Sequence, residues 1–369
     1  MSGIIKSSNT SDEFGTNIKR IGGKKMKTCK MSGVVKRTVA VVLVFVLMAV
    51  SVTGCGSKKT SSKKEQLVFR MAIVDGETSP IYKGAKEMAD KVYEKTDGQI
   101  KIVVVTGGAL GDERGSVELC SQGDLDIASA ANSVLTNWIP EMNILDQAYL
   151  WENEKQAHAA VDGPVGDLIE KAAEEKLNVH VIGYLESGFR DTFSKKPIKS
   201  IEDFKGVKIR TMQNQYHMAA FQSFNAMPTA MAYNEVFTAL QQGTIDACEN
   251  AVSNCLSNGY YEVTKNVTYT HHAFTYIPVM MSDKAWNMIP DNLKDEFMEG
   301  CKEGYMAERE YLADTNAEAV KELKKKGVKF WDISIEELKK SYDKRAKDNG
   351  FKFDPEWQKA VDKVIAENQ

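Results

Sequence analysis

The chain has 369 residues, of which 43% are apolar and 27% charged, a composition typical of globular proteins and long enough for about two domains. The formal net charge is −3, but residues 1–54 hold nine Lys or Arg and two Asp or Glu, which leaves 39 basic and 49 acidic residues in the remainder. A nucleic-acid-binding protein needs a basic surface, so this acidic balance argues against nucleic acid as a partner.

The first 54 residues have the features of an export signal. A basic stretch ends at Arg37, and residues 38–52 ("TVAVVLVFVLMAVSV") carry no charge but are fewer than the roughly 20 residues that a membrane-spanning helix needs. Small residues then lead to Cys55, and this ending resembles a bacterial lipobox. The resemblance implies cleavage before Cys55 and a diacylglyceryl group on its sulfur, with an uncleaved helical anchor as the alternative. The true start is predicted at Met26 or Met31.

Residues 55–65 are predicted to be a lipid-anchored tether, because the stretch "GSKKTSSKK" offers no apolar side chain to bury. An extracellular location would permit disulfides. The cysteines beyond the tether nevertheless lack the spacing of a zinc site and are predicted to be free, buried thiols: Cys120, Cys248, Cys255 and Cys301. No metal and no cofactor is predicted.

The folded part begins with a β-α-β pattern. Residues 66–74 and 99–105 are short, apolar and rich in β-branched residues, and residues 80–96 between them place apolar residues at helical spacing. This order predicts an α/β fold with parallel strands. Further along, "GVKIRTMQN" (206–214) reads as a strand that brings Arg210 to its C-terminal tip. Helix caps are predicted at Ser200 and Asn234.

Two features predict a pair of related lobes. "CSQGDLD" (120–126) and "LQQGTID" (240–246) each end a helix at Gln-Gly and place an Asp three residues after the Gly; a common turn solution is the alternative. Residues 291–326 contain no Pro and repeat apolar residues at helical spacing, so they predict one long helix, or two nearly collinear ones, across both lobes. Residues 328–333 are predicted to form a strand, and residues 355–367 a final helix.

Residues 188–214 ("GFRDTFSKKPIKSIEDFKGVKIRTMQN") and 225–250 ("NAMPTAMAYNEVFTALQQGTIDACEN") resemble the DctP family, the substrate-binding proteins of tripartite ATP-independent periplasmic (TRAP) transporters. Residues 110–128 and 161–169 are similar to the same family. The resemblance implies two α/β lobes with a hinged cleft and a long bridging helix, in the periplasmic-binding-protein manner. On this basis lobe I is predicted at 66–187 with 276–315, and lobe II at 188–275 with 316–369.

The resemblance also implies function: a monomer, lipid-anchored outside the cell membrane, captures a small organic acid and passes it to the small and large subunits of a sodium-driven permease. A desolvated carboxylate needs the two parallel donors of an arginine. "KIR" matches the family's principal arginine at Arg210, Arg190 matches a second cleft arginine, Asn250 in "ACEN" matches an asparagine donor, and Tyr233 matches an aromatic wall.

Other cleft positions are suggested less directly by the same resemblance: Glu77, Glu113, Asn132, Trp151, Gln213, Asn214 and His272. Amide side chains suit hydroxyl groups because they both donate and accept, so "MQN" favours a uronate or aldonate over a C4-dicarboxylate. No GxSxG, HExxH, P-loop or GxGxxG motif supports an enzyme. A ligand-presenting protein for a membrane sensor, or the binding protein of an ATP-driven importer, remains an alternative.

Overall fold

The computed structural model describes residues 66–369, which form two sheets with helices packed around them. The predicted signal peptide (1–54), the lipidated Cys55 and the tether (55–65) lie outside the described residues. Within 66–369, the model contains no helix that is both long and apolar enough to cross a membrane.

The first lobe is built on a five-stranded sheet in the order β2-β1-β3-β10-β4. Its strands are β1 (Leu67–Ala72), β2 (Ile100–Val105), β3 (Ile127–Ser129), β4 (Val179–Phe189) and β10 (Phe274–Ser282). β1 pairs in parallel with β2 and β3, as the β-α-β order predicts, whereas β10 is antiparallel to β3 and β4. Its helices are α1 (Pro80–Lys95), α2 (Glu113–Ser121), α3 (Asn132–Leu135), α4 (Glu154–Val161), α5 (Pro164–Leu177) and α9 (Asp283–Trp286).

The second lobe is built on a six-stranded sheet in the order β11-β9-β5-β8-β6-β7. Its strands are β5 (Asp191–Ser194), β6 (Lys208–Thr211), β7 (Met227–Ala230), β8 (Ala247–Asn250), β9 (Asn266–Thr268) and β11 (Lys329–Trp331). Its helices are α6 (Gln215–Ser223), α7 (Val236–Gln242), α8 (Val252–Ser257) and α11 (Ile335–Asp348). Short 3-10 helices span Pro140–Asp146, Ile201–Phe204, Tyr233–Glu235 and Tyr260–Glu262.

The two similar sequence stretches form the same turn, one in each lobe. Gly123 and Gly243 both have φ of 76°, a left-handed conformation that closes the preceding helix. The Asp126 carboxylate accepts the Arg70 backbone N–H within β1 at 2.8 Å, and Asp246 accepts that of Lys208, the first residue of β6, at 3.2 Å. Each aspartate therefore holds the backbone of the neighbouring parallel strand, which explains the shared spacing.

The long helix α10 (Asp291–Lys325) contributes to both lobes, as predicted, and is continuous. Phe297 and Cys301 belong to the core of the first lobe, and Leu323 to a core cluster of the second. Gly304 lets α10 approach α1 closely, because a Cβ at this position would lie 2.3 Å from the Met88 Cα atom. The helix α10 therefore packs into the cores of both lobes.

The C-terminal helix α12 (Pro355–Glu367) corrects the predicted lobe boundaries. Its buried residues Trp357, Val361 and Val364 join the core of the first lobe, so the assignment of all of 316–369 to lobe II is wrong for this helix. The other boundaries remain predictions. A second correction concerns Asn234, which lies in the 3-10 turn before α7 and caps no helix with its side chain. The capping box of Ser200 and Asp203 is confirmed.

The four cysteines within the described residues are free and buried, as predicted. Cys120 and Cys301 lie in the first-lobe core, and Cys248 and Cys255 in the second. Burial raises the pKa of the Cys120 thiol to about 12, so it remains a neutral apolar side chain at physiological pH.

Glu308 is a buried acid on the inner face of α10. Neither of its carboxylate oxygens has a hydrogen-bond partner among the described residues. Burial, reinforced by the nearby Glu186, raises the pKa of Glu308 well above its usual value. An acid whose pKa is raised by folding keeps its proton to a higher pH in the folded state than in the unfolded state. The folded state is therefore destabilised as the pH rises above the unfolded-state pKa.

We therefore expect Glu308→Met to be more stable than the parent at pH 8 by about 1–3 kcal/mol, the cost of an unsatisfied buried polar group. The gain should shrink at pH 5, nearer the unfolded-state pKa of about 4.3, because the parent's Glu308 is then protonated. Urea unfolding at both pH values measures this difference. Glu310→Met, an exposed position on the same helix, is the control. A loss of stability in Glu308→Met at pH 8 would contradict the prediction.

Candidate ligand-binding site

A small polar cavity lies where the two lobes meet. Its lining combines residues of both sheets with the loops that follow them: Val74, Asp75, Ile81, Glu113, Ala131, Ser187, Arg190, Arg210, Met212, Tyr233, Asn250, Asn254, Thr275 and Ile277. Its volume of about 30 Å³ admits about one or two water molecules. Charged side chains at such a small enclosed site must be matched closely, so their partners decide what the site can bind.

Arg190 lies between β4 and β5 and is fully partnered by the protein. Its Nε and Nη2 atoms donate to the Glu249 carboxylate, and Nη2 also donates to the Glu249 backbone carbonyl at 2.7 Å. Nη1 donates to Asn250 Oδ1 at 3.1 Å and to Thr275 Oγ1 at 3.5 Å. All five N–H groups of a guanidinium are thus used, so Arg190 acts mainly as the internal counter-ion of Glu249.

Glu249 is fully buried in β8 and remains ionised. Burial alone would raise the pKa of its carboxyl group, but Arg190 and a hydrogen bond from His272 hold it well below the usual range. His272 Nε2 lies 3.2 Å from Glu249 Oε2, and its Nδ1 lies 3.0 Å from Thr270 Oγ1. Burial lowers the pKa of His272, so the imidazole is neutral and donates to the carboxylate.

Arg210 has donors that the protein does not use. Its Nε and Nη2 atoms donate to the Met231 carbonyl at 3.0 and 2.8 Å, and Nη1 lies 3.5 Å from Glu249 Oε1 without a hydrogen bond. The Nη1/Nη2 edge therefore remains for another acceptor. Asn250 supplies a further donor, because its Oδ1 accepts several bonds while its Nδ2 makes none to the described residues. Both residues lie at the carboxyl ends of strands, where α/β sheets bind ligands.

Two acids line the same cavity. Burial raises the pKa of Asp75 to about 7, although a hydrogen bond from Tyr233 opposes the shift. Burial also raises the pKa of Glu113, whose Oε1 accepts the Ala131 backbone N–H at 2.7 Å. The two carboxyls raise each other's cost of ionisation. At neutral pH the cavity therefore holds acids that are easily protonated beside a guanidinium with unused donors.

Direct hydrogen bonds hold the lobes together around the cavity. Tyr233 Oη of the second lobe donates to Asp75 Oδ1 of the first at 3.0 Å. Asn214 Nδ2 donates to Asp146 Oδ2 at 3.0 Å, and His217 Nε2 lies 2.9 Å from Asp146 Oδ1. The structure is thus a closed form, and these bonds would have to break for the lobes to separate.

His217, Glu249 and His272 form a group of metal-ligand type within the described residues, with their ligand atoms within 4.8 Å of one another. Each of them already has a partner: Asp146 for His217, and Arg190 with His272 for Glu249. The adjacent guanidinium opposes a second cation, so the geometry favours a hydrogen-bonded network over a metal centre.

A family model described as bacterial extracellular solute-binding protein, family 7 (DctP), matches residues 71–348. The chain belongs to this family. It is 30% identical over 284 residues to the 2,3-diketo-L-gulonate-binding periplasmic protein YiaO of Escherichia coli (strain K12), covering 77% of this chain and 86% of the relative. The DctP family and its relatives are solute-binding proteins of transporters, not enzymes.

Two crystal structures of TRAP periplasmic or sugar-acid binding proteins share the fold. One, from Polaromonas sp. JS666 and bound to D-erythronate, has a TM-score of 0.75 and 27% identity, and covers 82% of this chain and 99% of its own. The other, the sugar acid binding protein DctPAm from Advenella mimigardefordensis in complex with galactonate, has a TM-score of 0.76 and 26% identity, covering 82% and 97%. The predicted two-lobe α/β fold is therefore confirmed.

Several residues predicted from the DctP resemblance line the cavity of this family member: Arg210, Arg190, Asn250, Tyr233 and Glu113. Gln213 is exposed and lines a smaller adjoining cavity that also includes Glu113 and Tyr233. Whether these side chains touch a ligand stays a prediction. The two arginines differ in what they can offer a ligand. Arg190 is bound to Glu249, whereas Arg210 keeps unused donors at the Nη1/Nη2 edge of its guanidinium.

Other predicted site residues lie elsewhere. Asn132 is fully buried and bonds Asp146 and the Tyr276 backbone, and Asn214 caps α6 while joining the lobes. Both amides thus bond structural partners and do not line the cavity.

Three further predicted residues also lie outside the polar cavity. Glu77 is exposed at the surface. Trp151 lines a different cavity, which also includes Phe189. His272 lies behind Glu249, which separates it from the cavity, so it supports the site instead of lining it.

Sequence reasoning missed Glu249 and Asp75. Glu249 directly precedes Asn250 in a buried strand, and an acid without an obvious partner in such a strand signals an ion pair. Asp75 follows β1, at the same kind of strand end that drew attention to Arg210. Both signals were available, but only the folded chain shows that the two acids face the arginines.

We expect Glu249→Gln to destabilise the DctP-type fold by about 3–5 kcal/mol, because it leaves Arg190 buried without its counter-ion. The pKa of Glu249 is depressed, so its stabilisation is present above the unfolded-state value of about 4.3 and is lost as pH falls. The variant should therefore lose less stability than the parent between pH 7 and pH 4. Urea unfolding measures both effects, with the exposed Glu262→Gln as the control; equal midpoints for parent and Glu249→Gln would refute the assignment.

Proposed function

We propose that this DctP-family protein captures a hydroxylated monocarboxylate, an aldonate or uronate, and delivers it to the sodium-driven permease of a TRAP transporter. The ligand carboxylate would bind the open edge of Arg210 and the Asn250 amide. Tyr233, Glu113 and Asp75 would surround the remainder. The observation that supports this most directly is that Arg210 keeps unused N–H donors in the cavity, whereas the donors of Arg190 are all bound, mainly to Glu249.

The charges of the cavity support one carboxylate and not two. Arg190, Arg210 and Glu249 together carry a net charge of about +1, which one ligand carboxylate neutralises. A C4-dicarboxylate brings a second negative charge, which would face Asp75 and Glu113 without a further cation among the described lining residues. Desolvating an unpaired carboxylate is costly, so the cavity favours a ligand with a single acid group.

The two acids also suit the hydroxyl groups of such a ligand. A carboxylate accepts hydrogen bonds, and a carboxylic acid can also donate one. Asp75 and Glu113 each use one oxygen for a protein partner, so the other oxygen can serve the ligand. The ligands named for the similar proteins (2,3-diketo-L-gulonate, D-erythronate and galactonate) are all acids with several oxygen substituents.

Binding requires the lobes to move. A cavity of about 30 Å³ cannot hold a sugar acid, whose sites in proteins measure hundreds of Å³. Opening about the strands that connect the lobes would admit the ligand. Contacts from both lobes would then favour reclosure around it, with the lobes further apart than in the closed form described here. A closed, loaded form that differs from the open form is what a membrane permease can recognise.

A thermal-shift screen tests the ligand class directly. D-gluconate and D-galacturonate should raise the melting temperature, whereas succinate and fumarate should not. A shift with the dicarboxylates alone would overturn the monocarboxylate assignment.

The lipid anchor at Cys55 is part of the proposal, and the denaturing mass of protein extracted from membranes tests it separately.

Arg210→Lys should weaken binding of the best sugar acid by roughly 2 kcal/mol, about 30-fold, because lysine lacks the parallel donor pair. Isothermal titration calorimetry measures the change. Arg70→Lys, an exposed arginine of β1 whose side chain is 53% accessible, is the matched control and should bind normally. Unchanged affinity in a folded Arg210→Lys variant would exclude Arg210 as the carboxylate site.

The affinity should also depend on pH through Asp75, whose pKa is about 7. One ligand carboxylate balances the charge of the cavity while Asp75 is protonated, so affinity is full below pH 7 and falls above it as Asp75 ionises, by at most about tenfold per pH unit. Asp75→Asn keeps an acceptor for Tyr233 but cannot titrate, so its affinity should be nearly flat from pH 6 to pH 8. Titrations at three pH values give the slopes; an equally steep slope in the variant would rule out this role for Asp75.

A further inference from the structure

A second cavity, here called the rear cavity, lies between the two lobes at the strands that connect them. It has a volume of about 530 Å³, within the range of small-molecule sites. Trp151 belongs to the first lobe, Phe189 and His271 to the connecting strands and loop, and Ile335 and Lys339 to α11 of the second lobe. A molecule bound there would touch both lobes at once.

The rear cavity is on the opposite side of the connecting segments from the polar cavity. Side chains alternate between the two faces of extended chain. Arg190 faces the polar cavity, and its neighbour Phe189 lines the rear cavity. His272 is fully buried against Glu249, whereas the side chain of His271 is 52% exposed and packs edge-to-face on Phe189. The two connecting segments, at residues 189–190 and 271–272, therefore separate the polar cavity from the rear cavity.

Backbone strain is concentrated in the same wall. Tyr149 and His271 have φ of 63° and 39°, whereas the other non-glycine residues with positive φ in the described chain are Asp97, Asn178 and Asn225. Asp, Asn and His adopt this conformation more readily than other non-glycine residues, but Tyr rarely does. Such strain persists where the surroundings enforce it and is concentrated at functional sites. Both strained residues line the rear cavity.

The lining favours a flat apolar body with a negative group. Four aromatic rings surround the space, those of Tyr149, Trp151, Phe189 and His271. Lys339 supplies a cation at the edge, where its Nζ donates to the Tyr149 carbonyl at 3.4 Å. The hydrogen bond with Asp191, whose Oδ1 lies 3.1 Å from His271 Nδ1, raises the pKa of His271. Glu152, which is exposed, is the carboxylate among the described lining residues.

We propose that the rear cavity is a second ligand site that takes a monocyclic aromatic carboxylate, with the ring between the aromatic side chains and the carboxylate at Lys339. Opening the polar cleft about the connecting strands would bring the rear walls together. A ligand held in the rear cavity therefore disfavours the open form relative to the form that is closed around a sugar acid and, by linkage, tightens sugar-acid binding. This coupling rests on the proposed function, whereas binding to the rear cavity does not.

Benzoate is the probe, with benzamide as its uncharged counterpart. Isothermal titration calorimetry of the protein should show saturable benzoate binding, and benzamide should bind at least tenfold more weakly than benzoate. Lys339→Met should weaken benzoate binding at least tenfold, whereas Lys340→Met, an exposed lysine of the same helix outside the cavity, should bind as the parent does. Ile335→Trp, which places a bulky ring in the cavity, should weaken benzoate binding.

Arg210→Lys separates the two sites, because it weakens the polar cavity and leaves the rear cavity intact. Benzoate binding that survives Arg210→Lys and is lost in Lys339→Met supports the rear site. Binding lost in Arg210→Lys and kept in Lys339→Met, or no saturation at millimolar benzoate, overturns it. Saturating benzoate should lower the apparent Kd of the best sugar acid several-fold; an unchanged Kd overturns the coupling.

Discussion

The buried ion pair of Arg190 and Glu249 is the interaction on which the rest of the site depends. Arg190 stands at the point where β4 of the first sheet gives way to β5 of the second. Two charges removed from water are tolerated only if they are paired and their remaining donors and acceptors are satisfied. Arg190 meets this condition through β8 and β10 together, by way of Glu249, Asn250 and Thr275. The pair therefore fixes β8 and β10 relative to the β4–β5 junction, where the two lobes meet.

The same pair determines the charge that the cavity presents. Because Glu249 is committed to Arg190 and His272, it reaches Arg210 only through a 3.5 Å contact. Arg210 is held in place from behind by the Met231 carbonyl, which leaves the end of its guanidinium pointed at the cavity. An acid of the protein thus lies near Arg210 without neutralising it. The raised pKa values of Asp75 and Glu113 follow from the same surroundings, since a nearly dry cavity disfavours further unpaired charge.

Much of this architecture could be predicted because local patterns determine it. Helical spacing predicts the long helix, and the Gly-to-Asp spacing predicts a turn that the two lobes indeed share. The strand-end position predicts Arg210, and the resemblance to the DctP family predicts Asn250. Long-range packing could not be predicted in this way: α12 returns to the first lobe because Trp357 and Val361 find a core there, and Asn132 and Asn214 are used by Asp146. A single sequence shows which side chains have binding chemistry, but not which of them the fold has already satisfied.

The connecting strands link the two faces of the molecule through very few atoms. The Tyr149 backbone N–H donates to the His272 carbonyl at 2.9 Å, and the His272 imidazole contacts the Glu249 carboxylate. A strained residue in the rear wall is thus one hydrogen bond and one side chain away from the acid that holds Arg190. Packed interiors respond to displacement by repacking and not by smooth deformation. A change in the rear wall is therefore expected to act on the position of Glu249, and through it on the charge balance around Arg210.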